Sequence, residues 1–283
     1  MKLPHFDHFP SAIAIDLDGT LLDSQARLSP RNHHALERCL AQNIPVIIAT
    51  SRPVRTFNRV FPKDLAGGCS LAVMNGAIVT GNPPLSGYFK ETTPKEIAQS
   101  ILDLALEFDP NIRVTIELNG YEFGANWTAD PTMLWQRNSA TPDMVLPIGE
   151  AILRQPCKIA LGGLGTDILK LAEKLINTFG NTISVIPGLL GDPILNITNP
   201  QASKPCALRK LLTPRGISLQ EVIAFGDDIP DVGMLKECGI SVAIANALPE
   251  VKSVCTYYTA SNDEDGVALV LEEMLRTIDG QCE

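Results

Sequence analysis

The sequence predicts an α/β fold, a Rossmann-like parallel-sheet core interrupted by an inserted α+β domain. Three observations predict it. Short apolar runs at 12–15, 46–49 and 71–74 open the chain, each of strand length and flanked by polar or turn residues. Between the first two, the stretch 30–43 carries Ala35, Leu36 and Leu40 at helical spacing, so strand, helix and strand follow on the scale of a right-handed βαβ unit. The same pattern resumes near residue 221, after a middle third of different character.

Taken in order, the later elements extend this picture. Residues 222–225 read as a strand, 231–237 as a helix, and 241–244 and 255–259 as strands. A closing helix over 266–277 places Val267, Val270, Leu271, Met274 and Leu275 along one face. The middle third opens on the breaker Pro83-Pro84. Stretches 97–108 and 168–179 have helical spacing, and Asn119-Gly120 between the runs 111–118 and 121–124 is a hairpin signal. Segments 86–90, 158–161 and 182–186 are its other expected strands. The expected organisation is therefore core 1–82, insert 83–189, and core again 190–283.

Composition narrows the function. A net charge of −9 repels phosphate backbones, which disfavours general nucleic-acid binding. A small anionic substrate stays compatible, because a local lysine, metal or helix N-terminus reverses the sign inside a cleft. The cysteines, Cys39, Cys69, Cys157, Cys206, Cys238, Cys255 and Cys282, are odd in number, scattered and without C-x-x-C, which predicts reduced thiols. The start of the chain, broken by Pro4 and Pro10, carries no apolar stretch of signal-peptide length. No window approaches the ~20 apolar residues of a membrane helix, so a cytoplasmic protein without membrane attachment is expected.

The chemistry-bearing residues fall at strand ends. Asp16-Leu17-Asp18-Gly19-Thr20 follows the first strand, putting two carboxylates at i and i+2 where parallel α/β folds build their sites. Crowded carboxylates repel unless a cation lies between them, and hard oxygen ligands suit Mg²⁺. Thr50-Ser51-Arg52 follows the second strand, offering hydroxyls and a cation to a phosphoryl group. Lys204 precedes the helical pattern 207–212, and Gly226-Asp227-Asp228-Ile229-Pro230-Asp231 closes a buried strand with three acids in five residues. Alone, each of these reads more simply as a polar strand end or a solvated turn, the acidic run least so; their order along the chain gives them weight.

With these motifs on the page, the chain resembles the haloacid dehalogenase superfamily and, within it, the Cof-type phosphatases. The likeness runs nearly end to end: DLDGTLL, TSRP, NGA at Asn75, SKPCAL, GDDIPD, VAIANA and SNDEDGV. The resemblance implies a Mg²⁺-dependent phosphatase acting on a small phosphorylated metabolite, such as a sugar phosphate, nucleotide or phosphorylated cofactor, with the insert as a cap domain that selects substrate. It implies that Asp16 attacks phosphorus and Asp18 serves as acid and then base. It implies that Thr50, Ser51 and Lys204 bind the phosphoryl group. Asp16, the Asp18 carbonyl and Asp227 would ligate Mg²⁺, supported by Asp231.

The chain departs from the family at three places. Ser51 stands where members usually carry Gly, Pro230 where they carry Asn, and Asn246 lies in Ala-Ile-Ala-Asn-Ala where they often read Ala-Met-Gly-Asn-Ala. Two alternatives use the same residues: a phosphomutase, with a substrate hydroxyl in place of water, and a phosphometabolite binder without turnover. His33 and His34 are expected on an exposed helix face and Cys206 as a packing thiol. Trp127, Trp135 and Arg137 are read either as insert core and surface or as substrate contacts.

Overall fold

A computed structural model describes residues 1–163, 165–188 and 193–279, the side chains as far as 276. The chain divides into two compact units: Met1–Ser51, Val60–Phe89 and Ser203–Glu283 form one, and Arg52–Arg59 with Lys90–Ala202 form the other.

The first unit is built on an eight-stranded sheet. Its order is Tyr257–Tyr258, Ile240–Ala243, Val222–Gly226, Ala12–Asp16, Val46–Ala49, Ser70–Val73, Ile78–Gly81 and Gly87–Lys90. The first six strands run parallel, and Ile78–Gly81 turns back antiparallel against Ser70–Val73. The three central strands are buried along their whole length, which is why they read as unbroken apolar runs rather than alternating ones. In register, Asp16 lies opposite Ala49, and Ile15 opposite Phe225. The ends of these strands therefore bring the segments starting at Asp16, Thr50 and Asp227 together. Helix Pro30–Ala41 begins with Ser29 accepting from the Asn32 N–H and with proline at its first position, both favourable at a helix start.

The second unit carries a six-stranded sheet in the order Ser184–Gly188, Ile194–Thr198, Lys158–Gly162, Arg113–Glu117, Phe123–Ala125 and Val145–Pro147. Helices Lys95–Phe108 and Ile168–Phe179 bury Ile101, Leu102, Leu171 and Leu175 in the core shared with Ile116, Ile159 and Ile197. The Asn119-Gly120 hairpin forms as expected, with Gly120 at φ +85.

Several elements differ from the sequence reading. Gly87–Lys90, expected in the insert, joins the eight-stranded sheet beyond Ile78–Gly81, so the first unit keeps the chain to residue 89. Strand Ile194–Thr198 pairs on both sides within the six-stranded sheet, carrying the second unit on to residue 202. Segment 52–59 joins that unit through Arg55, whose guanidinium donates at 2.6 Å to both Glu117 oxygens and lies 4.4 Å from the Phe123 ring centre. Lys158, buried beside Glu117 on the paired strand, has its pKa lowered first by burial, against the Glu117 charge. The described cysteines form no disulfide, and Cys282 lies outside the described residues. Among the described residues, no helix is long and apolar enough to cross a membrane.

Candidate active site

The site assembles at the carboxyl ends of the central strands of the first unit. Asp16 is the last residue of its strand and is buried. Lys204, first residue of the helix Lys204–Leu212, donates to Asp16 Oδ1 at 2.5 Å and also to Asp231 Oδ1. Ser203 caps that helix by accepting from the Cys206 N–H, which fixes where the lysine starts. The other oxygen of Asp231 accepts from the Asp227 and Asp228 N–H groups at 3.1 Å. Asp231 thus holds the acidic loop and the lysine at once, and it is 1% exposed.

Asp227 takes its place through the turn after Asp16. The Thr20 hydroxyl donates to Asp227 Oδ1 at 2.7 Å. Gly19, at φ +77, lies so close that a Cβ there would come within 2.4 Å of Asp227 Oδ2. A side chain at 19 would be strained twice, by backbone conformation and by contact. Asp18, two residues past Asp16, is exposed where Asp16 is buried, and its backbone forms a bridge with Leu22. Thr50 is buried and Ser51 half-buried; the Thr50 N–H donates to the Ala72 carbonyl at 2.8 Å.

The electrostatics are those of too few positive charges. Ligand atoms of Asp16, Asp227 and Asp231 lie within 4.8 Å of one another, with Lys204 as the single buried cation among them. Burial first, then the Asp231 charge, raises the Asp16 carboxyl well above the ordinary range, and Lys204 only partly opposes this. Burial likewise pushes Asp227 up to about 6, against the Thr20 hydrogen bond. Burial pushes the Lys204 ammonium down, but the Asp16 and Asp231 carboxylates outweigh it and hold it above the usual lysine value. Uncompensated buried carboxylates with hard oxygen donors are the donor set a divalent cation such as Mg²⁺ satisfies, so the residues fit that ion.

The structure brings together Asp16, Lys204, Asp227 and Asp231 by direct contact or shared neighbours, and sets Asp18 and Thr50 at adjoining strand ends. It also adds residues to which the sequence reading gave no role. Asn246 Nδ2 donates to the Gly19 carbonyl at 2.7 Å, its Oδ1 accepts from the Asn262 N–H, and Asn262 Nδ2 donates to the Leu22 carbonyl. The two asparagines fasten the turn that carries Asp18 and Gly19. Both lie in motifs quoted above, VAIANA and SNDEDGV, which were the available signal. His33 is held by Asp64, its Nε2 2.9 Å from Oδ2. In the second unit, Trp127 and Arg137 line a cavity of about 1060 Å³ with Arg113, Thr115 and Asp130. Trp135 is instead half exposed, beside Arg59.

A parallel sheet ending in a buried aspartate, a lysine and an acidic loop defines a class of hydrolase. The chain belongs to the haloacid dehalogenase-like hydrolase family, whose model matches residues 13–271. A Haemophilus influenzae protein with a provisional phosphatase name is 30% identical over 263 residues, covering 93% of this chain and 97% of its own. The Bacillus subtilis 5-amino-6-(5-phospho-D-ribitylamino)uracil phosphatase YitU is 24% identical over 267 residues, covering 93% and 97%. Among solved structures, a haloacid dehalogenase-like hydrolase from Bacteroides thetaiotaomicron superposes with TM-score 0.78 at 24% identity. It covers 94% of this chain and all of its own.

Proposed function

We propose that the protein is a Mg²⁺-dependent phosphatase that hydrolyses a small phosphorylated metabolite through an aspartyl-phosphate on Asp16. The observation that carries this reading is the pairing of a buried carboxylate, Asp16, with Lys204 at one end of the sheet, while a second carboxyl two residues on, Asp18, stays exposed.

Two carboxyls in unlike environments suit two tasks. Lys204 occupies Oδ1 of Asp16, leaving Oδ2 as the attacking atom. That oxygen forms a bond to phosphorus while the bond to the leaving oxygen breaks, and Asp18 gives that oxygen its proton. Asp18, now ionised, takes a proton from water as the water oxygen attacks phosphorus. The bond to Asp16 breaks and inorganic phosphate leaves. Lys204 and the Thr50 and Ser51 hydroxyls hold the phosphoryl oxygens through both steps, supplying fixed dipoles and charge where negative charge gathers. Asp16 and Asp227, with the Asp18 carbonyl, would hold Mg²⁺, and Asp231 orients them from behind. When bound, the ion offsets the charge of the nucleophile and the phosphoryl group, which otherwise repel.

The second unit is assigned the role of a cap that selects the leaving group, and Arg113, Arg137 and Trp127 of its cavity are the residues to vary. YitU and a second Bacillus subtilis protein of the same activity name, YwtE, add their phosphorylated ribitylaminouracil to the substrates worth testing.

The test is phosphate release from a panel of phosphorylated metabolites with Mg²⁺, run on wild type and Asp16→Asn. The amide cannot form the acyl-phosphate, so turnover should fall by at least about 10³-fold with the fold unchanged. A variant keeping more than a few percent of the wild-type rate would sink the covalent mechanism. Phosphate release only in the presence of an activating bisphosphate would favour the mutase.

A further inference from the structure

The turn after strand Ser70–Val73 is unusual in two independent ways. Met74, Asn75 and Gly76 have φ of +52, +60 and +93, three successive residues in the left-handed region, two of them not glycine. Such backbone is held only where its surroundings over-determine it. The Asn75 side chain is also buried, 2% exposed, and neither its Oδ1 nor its Nδ2 has a hydrogen-bond partner. Buried amides are nearly always paired, so an orphan of this kind calls for a physical reason.

The position of the turn suggests one. The Asn75 N–H donates to the Thr50 carbonyl at 3.0 Å. A Cβ at Gly76 would lie 2.7 Å from the Ser203 carbonyl, directly before Lys204. Asn75 therefore stands between the two segments assigned to the phosphoryl oxygens. Glycine alone would satisfy the backbone here without burying an unpaired amide. A carboxamide adds a donor without adding charge, which suits a site whose charges are already committed to one another.

We infer that Asn75 is a binding residue of the phosphoryl site, whose carboxamide gains its hydrogen bond when an oxyanion fills the cradle between Thr50 and Lys204. The inference rests on the phosphatase reading above and assigns a residue that reading does not use.

The test compares wild type with Asn75→Gly, which tolerates the left-handed backbone and removes the side chain with its carboxamide. Inorganic phosphate is the probe, as a competitive inhibitor of the full-length protein with Mg²⁺, alongside kcat, KM and the melting temperature. The glycine variant should bind phosphate about tenfold more weakly and lose about the same factor in kcat/KM, with its melting temperature unchanged. Wild-type phosphate affinity in the variant would overturn the inference. So would a loss of affinity matched by a large fall in melting temperature, since that marks a purely structural amide. If the glycine variant does not fold, Asn75→Ser carries the same comparison. A wild type that neither releases nor binds phosphate would refute the phosphatase reading itself, and the inference with it; a wild type that does both beside an unaltered glycine variant refutes the inference alone.

Discussion

Asp227→Asn separates the electrostatics of the site from its chemistry. Burial above all, and then the Asp231 charge, holds the Asp227 pKa at about 6 against the ordinary 3.8. That gap corresponds to about 3 kcal/mol of destabilisation once the group is ionised in the fold. The sign follows from proton binding. The folded state holds this proton more tightly than the unfolded chain, so the fold is favoured as pH falls and loses stability as pH rises from about 4 to about 6. Asparagine keeps an oxygen for the Thr20 hydroxyl and removes the charge. If about 2 kcal/mol of the penalty is recovered, the variant should melt about 4–8 °C above wild type at pH 7.5 in chelator. At pH 4 the two should nearly coincide. Added Mg²⁺ should raise the wild-type melting temperature at pH 7.5 and leave the variant nearly unmoved, since one ligand carboxylate is gone. Differential scanning calorimetry at the two pH values, with and without Mg²⁺, reads all four quantities. A variant less stable than wild type in chelator at pH 7.5, or one stabilised equally by Mg²⁺, would refute the argument that Asp227 is an uncompensated charge waiting for a cation.

Two other substitutions probe the frame around the site. Arg55→Ala leaves Glu117 without its bidentate partner inside the second unit, and should cost about 3–5 kcal/mol in urea unfolding; a cost below about 1 kcal/mol would mean that Glu117 finds water or another cation. Pro230→Asn should change kcat and the Mg²⁺ requirement by less than about threefold, because Asp231 already accepts from the 227 and 228 N–H groups. A tenfold change in steady-state kinetics would instead give residue 230 a direct role.

Much of the first unit was legible because its information is local. Strands buried on both faces leave unbroken apolar runs, and acids or hydroxyls just past such runs announce the carboxyl ends of a parallel sheet. Asp16, Thr50 and Asp227 were singled out on that ground and Lys204 by its place before a helical pattern, in each case together with the resemblance of the ordered motifs. What escaped depends on contacts distant in sequence. Nothing near Arg55 shows that its charge is buried against Glu117, so segment 52–59 was read with the strand it follows. Segment 86–90 was read as a strand but placed in the insert, because its neighbour Ile78–Gly81, set by pairing in the sheet rather than by its own pattern, was not read. The double duty of Asp231, on Lys204 and on two backbone donors, is likewise a matter of convergence and not of spacing.

The arrangement of charge also explains why Pro230 is tolerable and why the lysine alone is not enough. Asp228 accepts from the Ile229 N–H and opens a short helical turn over Ile229–Asp231 in which proline takes an early position, where its missing N–H leaves no hydrogen bond unmade. The geometry of the acidic loop is therefore fixed by Asp228 and Asp231, and residue 230 only has to follow it. Within that loop and its neighbours, three buried carboxylates face one ammonium. With all three ionised, the residues carry a net charge of about −2 and repel a phosphoryl dianion, however well Lys204 and Thr50 are placed to hold it. On the proposed reading, a divalent cation held by Asp16 and Asp227 would bring the count near zero, and only then would the lysine and the hydroxyls attract the substrate on balance. Binding of cation and phosphate should accordingly be mutually reinforcing, each tightening the other by the same factor.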